Sequence, residues 1–121
     1  MKQNKTLVSI LIINYNNAKY LKRAIQSCLQ QTYNNVEILI FDDKSKDNSA
    51  SVLRKFSKNK KIKIYFNLRT KKNIAAFDAR NSYYYLFNKS KGDIICLLDS
   101  DDFFHKKKII EIVNFFDKNK K

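Results

Sequence analysis

Three aspartates stand close together at Asp99, Asp101 and Asp102, directly after the apolar run 94–98. A second acidic pair, Asp42 and Asp43, follows the apolar run 36–41 in the same way, although the chain as a whole carries a formal charge of +14. Like charges held together oppose one another's ionisation unless a cation or hydrogen-bond donors compensate, so the later group fits a hard divalent cation with oxygen ligands, Mn2+ or Mg2+. Such an ion needs only one or two protein carboxylates when a diphosphate supplies other ligands, and it can stabilise a departing diphosphate. The competing reading is that these aspartates cap the helix that follows and shape its turn. A third polar group, Asn14, Tyr15 and Asn16, ends the first apolar run. His105, the single histidine, lies just past the later cluster. Capping or solvent exposure is its expected role, with phosphate or acceptor contact as the alternative.

The elements that must position these groups alternate. The short, β-branched run 8–13 suits a strand buried on both faces. From 18 to 30, Ala18, Leu21, Ala24, Ile25, Cys28 and Leu29 recur at steps of three and four, the stripe of a helix that covers a sheet. Residues 36–41 form a second strand, and Asp47, Asn48 and Ser49 offer caps for a helix through about Phe56. Residues 62–66 read as a third strand, and 75–87 as a helix with Ala76, Ala79, Tyr83 and Leu86 near one face. Gly92 marks a turn into the strand 93–98, and a last stripe runs through Ile109, Ile110, Val113 and Phe116. Strand and helix alternating in this way predict an α/β domain over residues 1–121, an open and mostly parallel sheet with flanking helices and right-handed crossovers. Ligands of such sheets bind beyond the carboxyl ends of the strands, where all three polar groups fall.

Several classes are disfavoured. No apolar run approaches the roughly 20 residues that cross a bilayer, and the first run reads as a strand and not as an export signal, so a cytoplasmic location is expected. Cys28 and Cys96 read as small buried hydrophobes, without a disulfide or zinc site. The 25 Lys and Arg residues suit a solvated surface, steering toward a membrane or an anionic substrate, or nucleic acid; no groove-reading motif accompanies them, so specific nucleic-acid recognition is not expected. The first strand-to-helix turn has no glycine for a dinucleotide-binding turn, and no phosphate loop of the G-x-x-x-x-G-K-[ST] type occurs.

The stretches VSILIINYNN at 8–17, YLKRAIQSCLQQTYNNVEILIFDDKSKDNS at 20–49, NIAAFDARN at 73–81 and GDIICLLDSDDFF at 92–104 resemble, in order, the inverting glycosyltransferases of family 2 with the GT-A fold. The resemblance is to their amino-terminal, nucleotide-sugar-binding part, so it implies a truncated GT-A fold. It implies that Tyr15 lies against the nucleotide base and that Asp43 hydrogen-bonds the base, commonly uracil, with Asp42 supporting the turn. It also implies that Arg80 sits near the nucleotide or its phosphates, that Asp99 serves the ribose or a water-linked metal contact, and that Asp101 binds the metal directly beside a supporting Asp102. In the alternative, Tyr15 and Arg80 pack at the sheet edge and Asp42 and Asp43 form a solvated turn. The expected strand order is 3-2-1-4, which brings Tyr15, Asp43 and Asp101 to one side.

Implied partners are a UDP-sugar donor and, in a full-length enzyme, a saccharide or lipid-linked acceptor. A homodimer and peripheral membrane contact stay open. The sequence departs from the family pattern in three places: Ile13 and Asn14 replace Pro and a small polar residue, Lys44 a glycine, and Ala75 the glycine after Asn73. If Lys44 adopts positive φ it carries strain that glycine avoids. Family members continue into a later half that supplies the acceptor pocket and the general base. The catalytic base is therefore unassigned, and residues 1–121 alone are expected to be inactive in transfer. The other function class is a non-catalytic nucleotide-binding or protein-interaction module.

Overall fold

A computed structural model describes residues 5–67 and 79–119. Along the chain run β1 (Val8–Asn14), α1 (Ala18–Leu29), β2 (Val36–Asp42), α2 (Ser49–Arg54), β3 (Ile62–Phe66), α3 (Ala79–Lys89), β4 (Ile94–Asp99) and α4 (Lys108–Lys118). The strands form one sheet in the order β3-β2-β1-β4, with every pairing parallel, as expected. α2 stops two residues short of the expected end, and the residues 75–78 assigned to the start of α3 lie outside the described residues.

Each position of β1 and β2 is buried, which explains why their sequences are continuous apolar runs and not alternations. One face of the sheet, with Ile10, Ile12, Ile38 and Ile40, packs with Leu21 and Ile25 of α1, Leu53 of α2, and Ile109 and Val113 of α4. On the other face Leu11, Ile13, Leu39 and Phe41 meet Leu86 and Tyr83 of α3 and Tyr65 of β3. Burying such side chains contributes roughly 1.5–3 kcal/mol each, so the two central strands anchor the domain. Cys28 and Cys96 are both buried and unpaired, and burial pushes the Cys28 thiol up to about 12, which leaves it an inert apolar group. Among the described residues no helix is long and apolar enough to cross a membrane.

The amino ends of the strands are joined by one carboxylate. Glu37 accepts from Ser9 Oγ at 2.5 Å and from the Lys91 N–H at 2.6 Å, and pairs with Lys63 Nζ at 3.2 Å. Burial pushes its carboxyl upward, but the hydrogen bonds from Lys91, Ser9 and Lys63 and the lysine charge outweigh this and hold it below its ordinary value. The Gly92 N–H donates to Ser9 Oγ at 2.8 Å, and a Cβ at Gly92 would stand 2.6 Å from the Ser9 backbone nitrogen. Only glycine permits that approach.

Candidate functional site

Because the sheet is parallel, the carboxyl ends of β1, β2 and β4 lie along one edge. Asn14 pairs in register with Asp42, and Ile13 with both Phe41 and Asp99. A cleft of ≈ 330 Å³ opens there, lined by Ile13, Tyr15, Asn17, Tyr83, Asp99, Ser100 and Asp101. The fold therefore gathers Tyr15, Asp99 and Asp101 around one space. Asp43 stands at the neighbouring strand end without lining the cleft. Arg80 falls in the first turn of α3, and its side chain lies outside the described residues.

The end of β2 is a closed polar structure. Asp42 accepts from Asn14 Nδ2 at 2.8 Å, from Ser45 Oγ at 2.7 Å and from the Ser45 N–H at 3.1 Å. Asp43 accepts from Asn67 Nδ2 and donates its own N–H to the Asn14 carbonyl at 3.0 Å. With 3% and 4% exposure, Asp42 and Asp43 are not the solvated turn of the alternative reading. Lys44 has φ 59°, the left-handed conformation in which a glycine would be free of strain, and Asn16 shares it at φ 55°. Asp47 then links two helices, accepting from the Ala18 N–H at 3.0 Å and from Ser49 Oγ at 2.6 Å. Among the described residues Asn14 Oδ1 is buried without a partner, which costs about 1–3 kcal/mol where no water reaches it.

The end of β4 is open. Asp99, Asp101 and Asp102 are all exposed. Asp102 Oδ1 accepts from the Phe103 N–H at 2.8 Å and its own N–H donates to the Asp99 carbonyl at 3.0 Å, so this residue shapes the turn. Among the described residues no three His, Cys, Asp or Glu side chains gather as a ready-made metal site, so the acidic triplet does not converge as a three-carboxylate cluster. His105 serves the turn before α4, its Nδ1 accepting from the Lys107 N–H at 3.2 Å.

Tyr83 and Asn17, both lining the cleft, had no functional assignment from sequence. Tyr83, expected only on the apolar face of α3, donates its hydroxyl to Asp99 Oδ1 at 3.3 Å, and burial together with the Asp99 charge pushes the phenol up to about 12. Asn17 donates to Ser100 Oγ at 2.9 Å and so joins the ends of β1 and β4. The one sequence signal was chemical: a tyrosine on a half-buried stripe brings a hydroxyl that needs a partner.

The model of the family described as "Glycosyl transferase family 2" matches residues 9–121. The chain belongs to glycosyl transferase family 2. An uncharacterized glycosyltransferase of Haemophilus influenzae is 38% identical over 117 residues, 96% of this chain and 44% of the relative. The UDP-Glc:alpha-D-GlcNAc-diphosphoundecaprenol beta-1,3-glucosyltransferase WfaP of Escherichia coli is 35% identical over 114 residues, 94% of this chain and 43% of that protein. The chain thus spans less than half the length of these relatives. Among solved structures, S. aureus TarS 1-349 in complex with UDP-GlcNAc has a TM-score of 0.78 at 20% identity, covering 92% of this chain and 31% of that one. Mannosyltransferase PcManGT from Pyrobaculum calidifontis, in complex with GDP-Man and Mn2+, has a TM-score of 0.80 at 14% identity, covering 93% and 33%. These matches establish a GT-A-like fold of which this family 2 chain spans part.

Proposed function

We propose that residues 1–121 are the donor-binding domain, the amino-terminal part of a longer glycosyltransferase, and hold the nucleoside diphosphate of a UDP-sugar. The carrying observation is the cleft at the ends of β1 and β4, where Tyr15, Asp99 and Asp101 meet. The UDP-Glc of the Escherichia coli glucosyltransferase WfaP and the UDP-GlcNAc bound by S. aureus TarS support a uridine nucleotide. Tyr15, at the cleft wall, lies against the base. Asp43, held by Asn67, accepts a hydrogen bond from it, and the family resemblance gives Arg80 a role near the nucleotide or its phosphates. Asp99, oriented by Tyr83, takes the ribose or a water.

The donor set fits a hard divalent cation: Asp99 and Asp101 are exposed carboxylates on one cleft, and the diphosphate supplies further oxygens. Asp101 would hold Mn2+ or Mg2+ directly, with Asp102 fixing the turn beneath it. When bound, such an ion neutralises charge on a departing diphosphate. The Mn2+ bound with GDP-Man in the Pyrobaculum mannosyltransferase supports this choice. Acceptor and base belong to the remainder of the protein, the acceptor being a saccharide or a lipid-linked glycan. The +14 charge suits salt-sensitive, peripheral contact of that protein with the inner face of an anionic membrane. Among the described residues β3 and β4 are the outer strands of the sheet, and such edges suit pairing with a second copy.

Calorimetric titration with UDP and Mn2+ tests the reading. Saturable, metal-dependent binding is expected. A folded sample that binds nothing would leave an interaction module, and retention on an oligonucleotide that UDP does not displace at constant ionic strength would favour nucleic acid.

A further inference from the structure

The segment 100–109 joins β4 to α4 and carries Asp101, yet it contains no strand or helix before Lys108. Besides the turn hydrogen bonds of its own Asp102 and His105, it is held from outside by a row of polar side chains on and just past α1. Arg23, Ser27 and Gln31 are spaced by four, so they lie one above another along the helix axis. Arg23 Nη2 donates to the Asp101 carbonyl at 3.2 Å. Ser27 Oγ accepts from the Phe104 N–H at 3.0 Å. Gln31 Nε2 donates to the His105 carbonyl at 2.7 Å, and its Oε1 accepts from the Ile109 N–H at 2.9 Å. The row thus reads the backbone of the segment in chain order, from 101 to 109.

The members differ in what they can be asked to do. Gln31 is buried, with both ends of its amide engaged, so it belongs to the core of the domain. Arg23 is exposed and stands at the tip of the row, where the segment meets the cleft. Its guanidinium lies 4.5 Å from the centre of the Phe103 ring and 5.7 Å from that of Tyr20. A planar cation can stack on the ring and still donate to a carbonyl; an ammonium at the same place keeps the charge and loses the stacked fork. The contact goes to the backbone of Asp101 and leaves its carboxylate to the cleft.

We infer that Arg23 is a positioning residue of the candidate site: by clamping the Asp101 carbonyl and the Phe103 ring to α1, it sets where the Asp101 carboxylate stands. Divalent-cation-supported binding of a nucleoside diphosphate then depends on a residue that touches neither. This rests on the donor-binding reading above, and the test separates the two.

The full chain is compared with Arg23→Ala and Arg23→Lys; the site is exposed, so both variants keep the fold. Amide hydrogen exchange without ligand should accelerate about fivefold at residues 102–104 in Arg23→Ala, with β1 unchanged. UDP titration in Mn2+ should show about fivefold weaker binding for Arg23→Ala, an intermediate value for Arg23→Lys, and no change for UDP in chelator. Unchanged exchange overturns the clamp. Faster exchange with unaltered Mn2+-supported affinity, or equal weakening with and without Mn2+, overturns its service to the site. A parent chain that binds no UDP overturns the donor-binding reading and this link to it, while the exchange arm still decides the clamp.

Discussion

The ends of β2 and β4 carry similar acidic sequences and are built in opposite ways. At β2 the carboxylates point into the protein: Asp42 is surrounded by Asn14 and Ser45, Asp43 is held by Asn67, and both are almost completely buried. At β4 the carboxylates are exposed, Asp99 meets one tyrosine at 3.3 Å, and Asp101 enters its clamp through the backbone carbonyl. A buried carboxylate that accepts several hydrogen bonds organises the chain around it; an exposed one leaves its lone pairs for a ligand. Asp42 is therefore a scaffold at the end of one parallel strand, while Asp99 and Asp101 are candidate contacts at the end of another. Chain position does not distinguish them, but burial does.

The largest effect that separates the two ends is on stability. Asp42→Ala removes the acceptor for Asn14 Nδ2, Ser45 Oγ and the Ser45 N–H, leaving Asn14 and the turn unsatisfied. A loss of about 2–4 kcal/mol in urea denaturation is expected. Asp101→Asn should leave that stability unchanged and instead weaken Mn2+-dependent UDP binding by about 1–3 kcal/mol, roughly five-fold to over a hundred-fold. Asp117→Asn, the same charge change at an exposed position of α4, is the control. Equal weakening by both asparagine variants would assign binding to general electrostatics. If Asp42→Ala proves neutral for folding, the scaffold description of β2 fails.

Much of the fold was legible because periodicity survives without context. The continuous apolar runs of β1 and β2 and the stripe of α1 are local signatures of central strands and a covering helix. The acidic strand ends were legible too, since the alternation of elements fixes which edge they occupy. What local pattern could not carry was the difference between Asp42 and Asp99, because it depends on partners 28 residues away for the one and 16 for the other. The clamp of Arg23, Ser27 and Gln31 was hidden for the same reason. Each is an ordinary polar residue on or just past a surface helix until the segment 100–109 folds back on it. Lys44 was the reverse case: its departure from the family's glycine raised positive φ as a condition, with another allowed turn as the alternative, and it has φ 59°.

Tyr83 offers a smaller effect that sharpens the description of the open end. Its phenol is pushed up to about 12 against an ordinary value near 10. Between those values the unfolded chain loses this proton while the folded chain keeps it. The contribution to stability is therefore complete below pH 10 and is lost as pH rises toward 12. Absorbance of phenolate should show a late step near pH 12 that Tyr83→Phe removes, and the variant should lose stability less steeply over that interval. If the late step persists in Tyr83→Phe, it does not belong to Tyr83, and the raised phenol assigned to burial and the Asp99 charge fails. Nucleotide binding in the same variant asks how much the long hydrogen bond orients Asp99; with donor and acceptor 3.3 Å apart, a loss of no more than about twofold is expected.

The smallest effect belongs to the backbone of the closed end. Lys44 and Asn16 have nearly the same left-handed conformation, φ 59° and φ 55°, but different reasons for it. Asn16 uses the geometry: its Oδ1 accepts from the Lys46 N–H at 2.7 Å, a long-range bond that ties the end of β1 to the turn after β2. Lys44 is exposed, and its Cβ meets the steric cost of roughly 1–2 kcal/mol that a left-handed residue carries. Glycine at 44 removes that cost but adds freedom to the unfolded chain worth about 0.5–1 kcal/mol, so Lys44→Gly should stabilise by a net of about 0.5 kcal/mol. Asn16→Gly should do the opposite, losing about 1 kcal/mol with the hydrogen bond to Lys46. Urea denaturation of the two variants gives the comparison directly, two glycines placed at the same φ with opposite signs expected. A destabilised Lys44→Gly would mean that the lysine side chain stabilises the turn through a contact, and that the departure from glycine is a gain and not a tolerated strain.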